Sequence, residues 1–412
     1  MKKIKVGFLI AAKFPEPLGS FLLDQITGVI DKGFDVKIFS VNENPQTENN
    51  REIIEKYDIL EKTHFINLPK NKFVRFMRAI PLFLKYPVKS FKSLNVRKYG
   101  KISWTLLPLF VYDATKKVRK DFDIIHGHFG QLGLVGSVLK DLGVKGQLIT
   151  SFHGGDVNSY PLKTNKDVYL PLFEKGDFFT VNSEFTKSKI VELGCKDFDK
   201  MKTLPMIIDS SKFDPSKTKS KKSDKVIVLT VGRLVEEKGH EFVIRGLAES
   251  VKKLGKERIE YRIVGDGPLE EPLKKLAKEL GIEEGVVFVG RTIGEDLLKE
   301  YSGADIFALT SIPASYGSGE GQGVALEEAQ AMNLPVITSN FAGLPEGMID
   351  GETGFTVPLK DVKEISKKID FFVKNPKLRM EMGKKGRDFI KKKFGKVPLT
   401  NKLSKIYRSI AN

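Results

Sequence analysis

Three carboxylates, Glu320, Glu327 and Glu328, stand in SYGSGEGQGVALEEAQA (315–331) among Gly317, Gly319, Gly321 and Gly323. Glycines this dense let a backbone bring its amides against a ligand, and carboxylates bind hydroxyls or move protons. ALTS (308–311) reads as the end of a strand and GVALEEAQAM as a helix that begins near Gly323. Glu320 then lies just before the helix and Glu328 inside it. At 1.5 Å of rise per residue plus the loop, the two carboxylates stand roughly 8–10 Å apart. That is too far to share one proton and suits holding two ends of one ligand. Consecutive helical residues point about 100° apart, so only one of Glu327 and Glu328 faces that ligand.

VGRLVEEKGHE (231–241) adds two cations, Arg233 at a strand end and Lys238 where the next helix begins. Cations beside the free amides of a helix N-terminus make a diphosphate site. A nucleotide sugar carries hydroxyls at both ends and a diphosphate between them, which matches this set. The rival is a glycosidase acid/base pair, since inverting hydrolases tolerate carboxylate separations of roughly 6.5–9.5 Å. The two cations weigh against it, because a hydrolase of neutral glycans has no use for them. IVGDGPLEEPL (263–273) offers Gly265 as a further donor-side candidate, although a tight turn with Pro268 opening a helix explains the same residues. VFVGR (287–291) ends in Arg291, on a loop that could approach a nucleotide base.

Short apolar runs alternate with helical patterns, twice over. KVGFLIA, FDVKIFS, DIIHGHF, QLITSFHG, FFTVNS and MKTLPM fill the first half, with helical stretches at 20–32, 71–95, 130–142 and 184–193. VIVLTVGR, YRIVGDG, VVFVGR, IFALTS, PVITS and GFTVP fill the second. Such alternation predicts an α/β protein with two doubly wound, Rossmann-like domains facing across a cleft, ligands sitting at the carboxyl ends of the strands. The expected boundaries are an N-terminal acceptor-binding domain over 1–214 and a polar, lysine-rich linker over 215–225. A donor-binding domain over 226–385 follows, and then a C-terminal helix over 386–412 that packs back on the first domain.

At 412 residues the chain is long enough for two cores, and its single cysteine excludes a disulfide framework and any cysteine-rich metal site. The opening MKKIKVGFLIAAKF imitates a secretory signal, but Lys13 interrupts the apolar run, so it reads as a first strand in a cytoplasmic protein. The formal charge of +17 is concentrated: residues 70–120 hold fourteen Lys and Arg against one acid, Asp113. Phe73, Phe76, Phe83, Tyr86, Phe91, Tyr99, Trp104, Phe110 and Tyr112 are interleaved with them. That mixture predicts adsorption to an anionic membrane surface, on the inner face of the membrane. A solvated lysine face is the plainer reading, and no nucleic-acid-binding motif accompanies the charge.

Five pieces occur in order: VGRL…EKG, VGDGP, E-x7-E within EGQGVALEEAQA, LPVITSNFAGLPE and DGETGF. Together they resemble the retaining nucleotide-sugar glycosyltransferases of the GT-B fold, family 4. FP…SF…Q (14–25), DIIHGHFG and SFHGGDV (151–157) extend the resemblance over nearly the whole chain. HGGD and the long loop before EG look most like the branch that builds bacterial exopolysaccharides such as colanic acid. The resemblance implies that Arg233 and Lys238 bind the donor diphosphate and stabilise the leaving nucleotide. It implies that Glu320 and the amides of Gly321, Gln322 and Gly323 contact the donor sugar, and that Glu328 holds the ribose hydroxyls. Glu327 is thereby left to packing or surface.

On the acceptor side the resemblance implies His153 at the reacting centre, with Asp156 and His128 nearby, and Gly19 and Ser20 in the first loop. That loop, AAKFPEPLGS, lacks the paired glycines of many relatives, and Gln322 stands where an apolar residue is common. No metal or cofactor is implied, because cations and helix amides neutralise the diphosphate. His126 and His128 flank Gly127 and alternate onto one face, which suggests a metal pair, but no carboxylate or thiolate partner lies nearby in sequence. His240 is read as closing a helix start, and His64 has no visible role. The expected reaction is retaining transfer of a sugar to a glycan or lipid-linked oligosaccharide in surface polysaccharide synthesis. The alternatives are a nucleotide-sugar epimerase of the same fold and a catalytically decayed, membrane-associated glycan-binding protein.

Overall fold

The computed structural model describes residues 3–15, 21–44, 50–118, 121–218, 223–315, 317 and 319–411. They form two compact units, Met1–Pro205 with Leu399–Asn412, and Met206–Pro398. The expected sites at Gly19 and Ser20 lie outside the described residues.

In the first unit the strands are β1 (Lys5–Phe14), β2 (Asp35–Glu43), β3 (Thr63–Phe65), β4 (Ile124–His128), β5 (Gln147–Phe152), β6 (Phe178–Val181) and β7 (Met201–Thr203). They pair in the order β3-β2-β1-β4-β5-β6-β7, all parallel. Every residue of β4 and β6 is buried, as expected for strands covered by helices on both faces. The sequence pattern misses β3, a three-residue edge strand of intermediate burial. Five helices fill the interval from β3 to β4: Lys72–Lys85, Pro87–Ser93, Val96–Tyr99, Lys101–Trp104 and Leu107–Val118. The expected single helical stretch over 71–95 breaks at Tyr86, because Pro87 cannot continue the preceding hydrogen-bond ladder and opens a new helix instead.

The second unit contains β8 (Val226–Val231), β9 (Ile259–Val264), β10 (Val286–Gly290), β11 (Ile306–Leu309), β12 (Val336–Ser339) and β13 (Gly354–Val357). Their order is β10-β9-β8-β11-β12-β13, again all parallel. In each sheet the direction of winding reverses at one place, between β1 and β4 and between β8 and β11. Loops leaving the carboxyl ends of those strands splay apart there, which is where open α/β sheets bind ligands. Amphipathic helices cover the strands: His240–Leu254 buries Val243, Ile244, Leu247 and Ala248 on one face, and these join the core that contains Val228 and Ile263.

The unit boundaries correct the sequence expectation. The chain changes unit at Pro205/Met206, so residues 206–214 and the expected linker 215–225 belong to the second unit. Ile208 donates its amide to the Phe394 carbonyl at 2.9 Å, Phe213 joins the apolar core, and the Arg387 guanidinium reaches the Phe213 carbonyl at 2.6 Å. Apolar anchors at Ile208 and Phe213 thus fix the stretch just ahead of the lysine-rich residues to the second unit. The tail is two helices, Pro376–Lys393 and Lys396–Ile410, separated at Phe394 and Gly395. Only the residues from Leu399 onward belong to the first unit, so the expected return begins later than residue 386.

Candidate active site

In the second unit, the loops after β8 and β11 are laced together. Gly239 has φ +66, and a Cβ there would collide with the Thr310 carbonyl. Glycine thus permits the close approach that lets Thr310 Oγ1 donate to the Gly239 carbonyl at 3.0 Å. The Ile312 amide donates to the Glu237 carbonyl at 3.0 Å, and His240 Nε2 lies 3.0 Å from the Arg233 carbonyl. His240 therefore closes the turn into its helix, and burial pushes its imidazole down to about 4.

This lacing brings Lys238 and Glu320 together as an ion pair with side chains only 17% and 12% exposed. Ser311 Oγ also donates to Glu320 Oε1, at 3.0 Å. Arg233 lies on the same loop but is 69% exposed, and its guanidinium pairs with Glu237 at 2.6 Å. Gly265, at φ +142, donates its amide to the Gly290 carbonyl at 2.9 Å, and the Leu234 amide donates to the Asp266 carbonyl at 2.8 Å. The GDG turn thus braces the Arg233 loop, but Pro268 does not open the helix as expected, since the helix begins at Glu270 with Leu269 before it. Arg291 is exposed beyond the end of β10.

Helix Val324–Ala331 separates the two adjacent acids. Glu328 is partly exposed and accepts a 2.9 Å hydrogen bond from the Tyr301 hydroxyl. Burial pushes its carboxyl up to about 7, with the Tyr301 bond and the Lys212 charge opposing. Glu327 is fully buried, and burial holds its carboxyl well above the usual range. Gln322 is expected to contact the donor through its backbone amide. Its side chain is buried and engaged by Met206 and Glu327, which leaves its backbone as the part available to a donor.

In the first unit, strand alternation puts His126 and His128 on one face, with ring centroids 4.5 Å apart. His128 Nδ1 lies 3.1 Å from His153 Nε2, and these two rings are nearly parallel at 10°. Phe21 and Phe129 pack on His153 at 5.2 and 4.7 Å. Burial pushes the imidazoles of His126 and His153 down to about 3, so both are neutral near pH 7. His126 has both ring nitrogens engaged, Nδ1 with the Tyr407 hydroxyl at 2.6 Å and Nε2 with Ser151 Oγ at 2.7 Å. That leaves no nitrogen for the metal-pair reading. Among the described residues no group of three or more His, Cys, Asp or Glu is arranged to hold a metal ion.

Asp156 braces this turn. Its oxygens accept the Gly130 amide at 2.9 Å and the His153 amide at 3.0 Å, fixing a helix start and the HGG turn together. Burial pushes its carboxyl up to about 6 against the pull of those amides. The Asp156 side chain is thus buried and engaged by the turn it braces. Ser311, Tyr301, Asn182 and Tyr407 escaped the sequence reading. Asn182 Nδ2 supports the His153 carbonyl at 3.1 Å, and only Ser311 had a sequence signal, its place at the end of ALTS.

Two parallel α/β sheets, with a lysine–carboxylate pair on the loops at one switch point, define a protein of the GT-B class. Residues 212–389 match the family model described as glycosyl transferases group 1. The amylovoran biosynthesis glycosyltransferase AmsK of Erwinia amylovora is 31% identical over 365 residues, 86% of this chain and 87% of that protein. WcaL of Escherichia coli (strain K12), named for colanic acid biosynthesis, is 29% identical over 378 residues, 90% of each chain. The chain belongs to the group 1 glycosyltransferases. Its fold matches a glycosyltransferase from Rickettsia africae with a TM-score of 0.73 at 20% identity, covering 100% of this chain and 99% of that one. HepE of Anabaena, solved with UDP, matches with a TM-score of 0.72 at 16% identity, covering 98% and 100%.

Proposed function

We propose that this glycosyltransferase moves a sugar from a nucleotide-sugar donor to a glycan or lipid-linked oligosaccharide, with retention, in surface polysaccharide synthesis. The observation that carries the reading is the Lys238–Glu320 pair at the β8/β11 switch point. Lys238, with Arg233 on the same loop, neutralises the donor diphosphate, assisted by the amides that open helix His240–Leu254. Glu320 and the backbone of Gly321, Gln322 and Gly323 hold the donor sugar, and Glu328 accepts the ribose hydroxyls. The bond from the sugar's anomeric carbon to the diphosphate oxygen breaks, and its electron pair leaves with the nucleoside diphosphate. The acceptor hydroxyl oxygen forms the new bond on the same face, and its proton passes to the departing phosphate. His153 lies on the acceptor-side half, and no metal is required.

The names of AmsK and WcaL support the polysaccharide setting, and the relatives reported above are transferases, which favours transfer over epimerisation. The basic segment supports work at the inner face of an anionic membrane. Phe73, Leu84, Phe91 and Trp104 are exposed there, Trp104 by 71%, among exposed Lys70, Lys72 and Lys92. Among the described residues no helix is long and apolar enough to cross a membrane, so attachment is to the surface. The test is a thermal-shift and turnover panel with UDP-glucose, GDP-mannose and related donors. One donor should stabilise the protein and be consumed with a lipid-linked acceptor, and Lys238→Ala should remove both effects. A protein that binds none of them does not have this function.

A further inference from the structure

The Gln322 side chain makes three hydrogen bonds in a buried place. Its Oε1 accepts the Met206 amide at 2.7 Å, and its Nε2 donates to the Met206 carbonyl at 3.2 Å and to Glu327 Oε2 at 2.6 Å. The carboxamide thus pairs with both backbone groups of one residue, as a neighbouring strand would, and its remaining proton is taken by Glu327. Met206 is the first residue of the second unit, and Gln322 lies between Glu320 and the helix Val324–Ala331.

Glu327 needs an explanation of its own. A fully buried carboxyl is costly unless it is hydrogen-bonded, yet Glu327 Oε1 has no partner and a leucine would fill the same helical position without penalty. Among the described residues, the bond to Gln322 is the hydrogen bond that this carboxyl supplies and an apolar side chain would not. Without it, Gln322 would keep a buried N–H with no acceptor, and its pairing with Met206 would lose its orientation.

We infer that Glu327 is a positioning residue for the donor loop: by holding the Gln322 carboxamide against the Met206 backbone, it fixes Glu320 and the amides of residues 321–323 where a donor sugar binds. This rests on the proposed function for the identity of the ligand, and on the geometry alone for the fixing of the loop. The diphosphate is assigned to the other loop, through Lys238, so the effect is selective. Loss of Glu327 weakens the hold on the sugar and leaves the hold on the nucleoside diphosphate.

The test compares Glu327→Leu, Glu327→Gln and the double variant Gln322→Leu with Glu327→Leu. Hydrogen exchange of the amides of residues 319–323, measured without ligand, reads the loop directly. Exchange should rise about tenfold in Glu327→Leu, as for the loss of one buried hydrogen bond, and stay near wild type in Glu327→Gln, which keeps an acceptor. With whichever of UDP-glucose and GDP-mannose the wild type uses, KM should rise about tenfold in Glu327→Leu, while binding of UDP or GDP is not weakened. The double variant has no orphaned polar group, so it should regain thermal stability without regaining loop protection or KM. Recovery of all three in the double variant, or unchanged exchange in Glu327→Leu, overturns the inference and reduces the pair to packing. A wild type that binds neither sugar nucleotide defeats the proposed function instead, and the exchange result still decides the loop.

Discussion

Lys238 and Glu320 neutralise each other across the two loops that leave β8 and β11. The same ammonium is assigned to a diphosphate, so Glu320 competes with the ligand for it. Glu320→Gln keeps the shape of the side chain and removes the competing charge. Calorimetry should show UDP or GDP binding three- to tenfold tighter in that variant, about 1 kcal/mol, while sugar transfer falls. Weaker nucleotide binding in Glu320→Gln would mean that the carboxylate aids the diphosphate site.

Glu328 should make donor binding depend on pH. Its carboxyl titrates at about 7 in the folded protein, and the carboxylate accepts hydroxyl hydrogen bonds more strongly than the acid does. Donor affinity should therefore rise as pH rises through about 7, by up to one proton's worth. A nucleotide sugar is the right probe because its diester diphosphate does not titrate in that range. Glu328→Gln should bind more weakly at high pH and give a flat profile, and an equally steep profile in the variant would reassign the titration.

The histidine stack should make the first unit sensitive to acid. The usual imidazole value is 6.5, and folding lowers that of His126 to about 3. Between these values the unfolded chain binds the extra proton, so this contribution is present above pH 6.5 and is lost as pH falls toward 3. One such group contributes up to about 1.4 kcal/mol per pH unit. Urea unfolding of His126→Gln between about pH 5 and 6.5 should give a slope shallower by about one proton than that of the wild type. An unchanged slope would show that His126 is not held neutral.

Anionic vesicles provide the check on the basic face. At low salt, phosphatidylglycerol vesicles should sediment the wild type. Reversing Lys70, Lys72 and Lys92 to Glu should reduce partitioning at least a hundredfold, at about 1 kcal/mol for each lysine near the surface. Trp104→Ser should weaken binding without changing its salt dependence. Failure of the wild type to sediment would leave the segment as a solvated face.

The long strands were legible because each is a continuous apolar run between turn residues, which a parallel sheet covered on both faces demands. β3 was not, since three half-buried residues at an edge carry no such run. Arg233, Lys238, Glu320 and Glu328 stand out as candidates because loop and helix spacing is local. Tyr407 could not: it meets His126 across 281 residues of sequence, and nothing near either residue announces the other. Glu327, expected in packing or at the surface, is buried; spacing shows that it turns away from Glu328 and not that Gln322 donates to it. Residues 206–214 read as part of the first domain because the lysine-rich stretch after them looks like the natural boundary, whereas Ile208 and Phe213 anchor them in the second.

The first unit is completed by residues from Leu399 onward, while Met206–Pro398 forms the second. The second unit is thus an insertion in the first, and during synthesis the order of completion is reversed. The ribosome delivers all of Met206–Pro398 before Tyr407, the residue that meets His126. Domains usually fold in the order in which they emerge, but here the later-starting unit has its whole sequence first. The first must wait with its histidine strand uncapped.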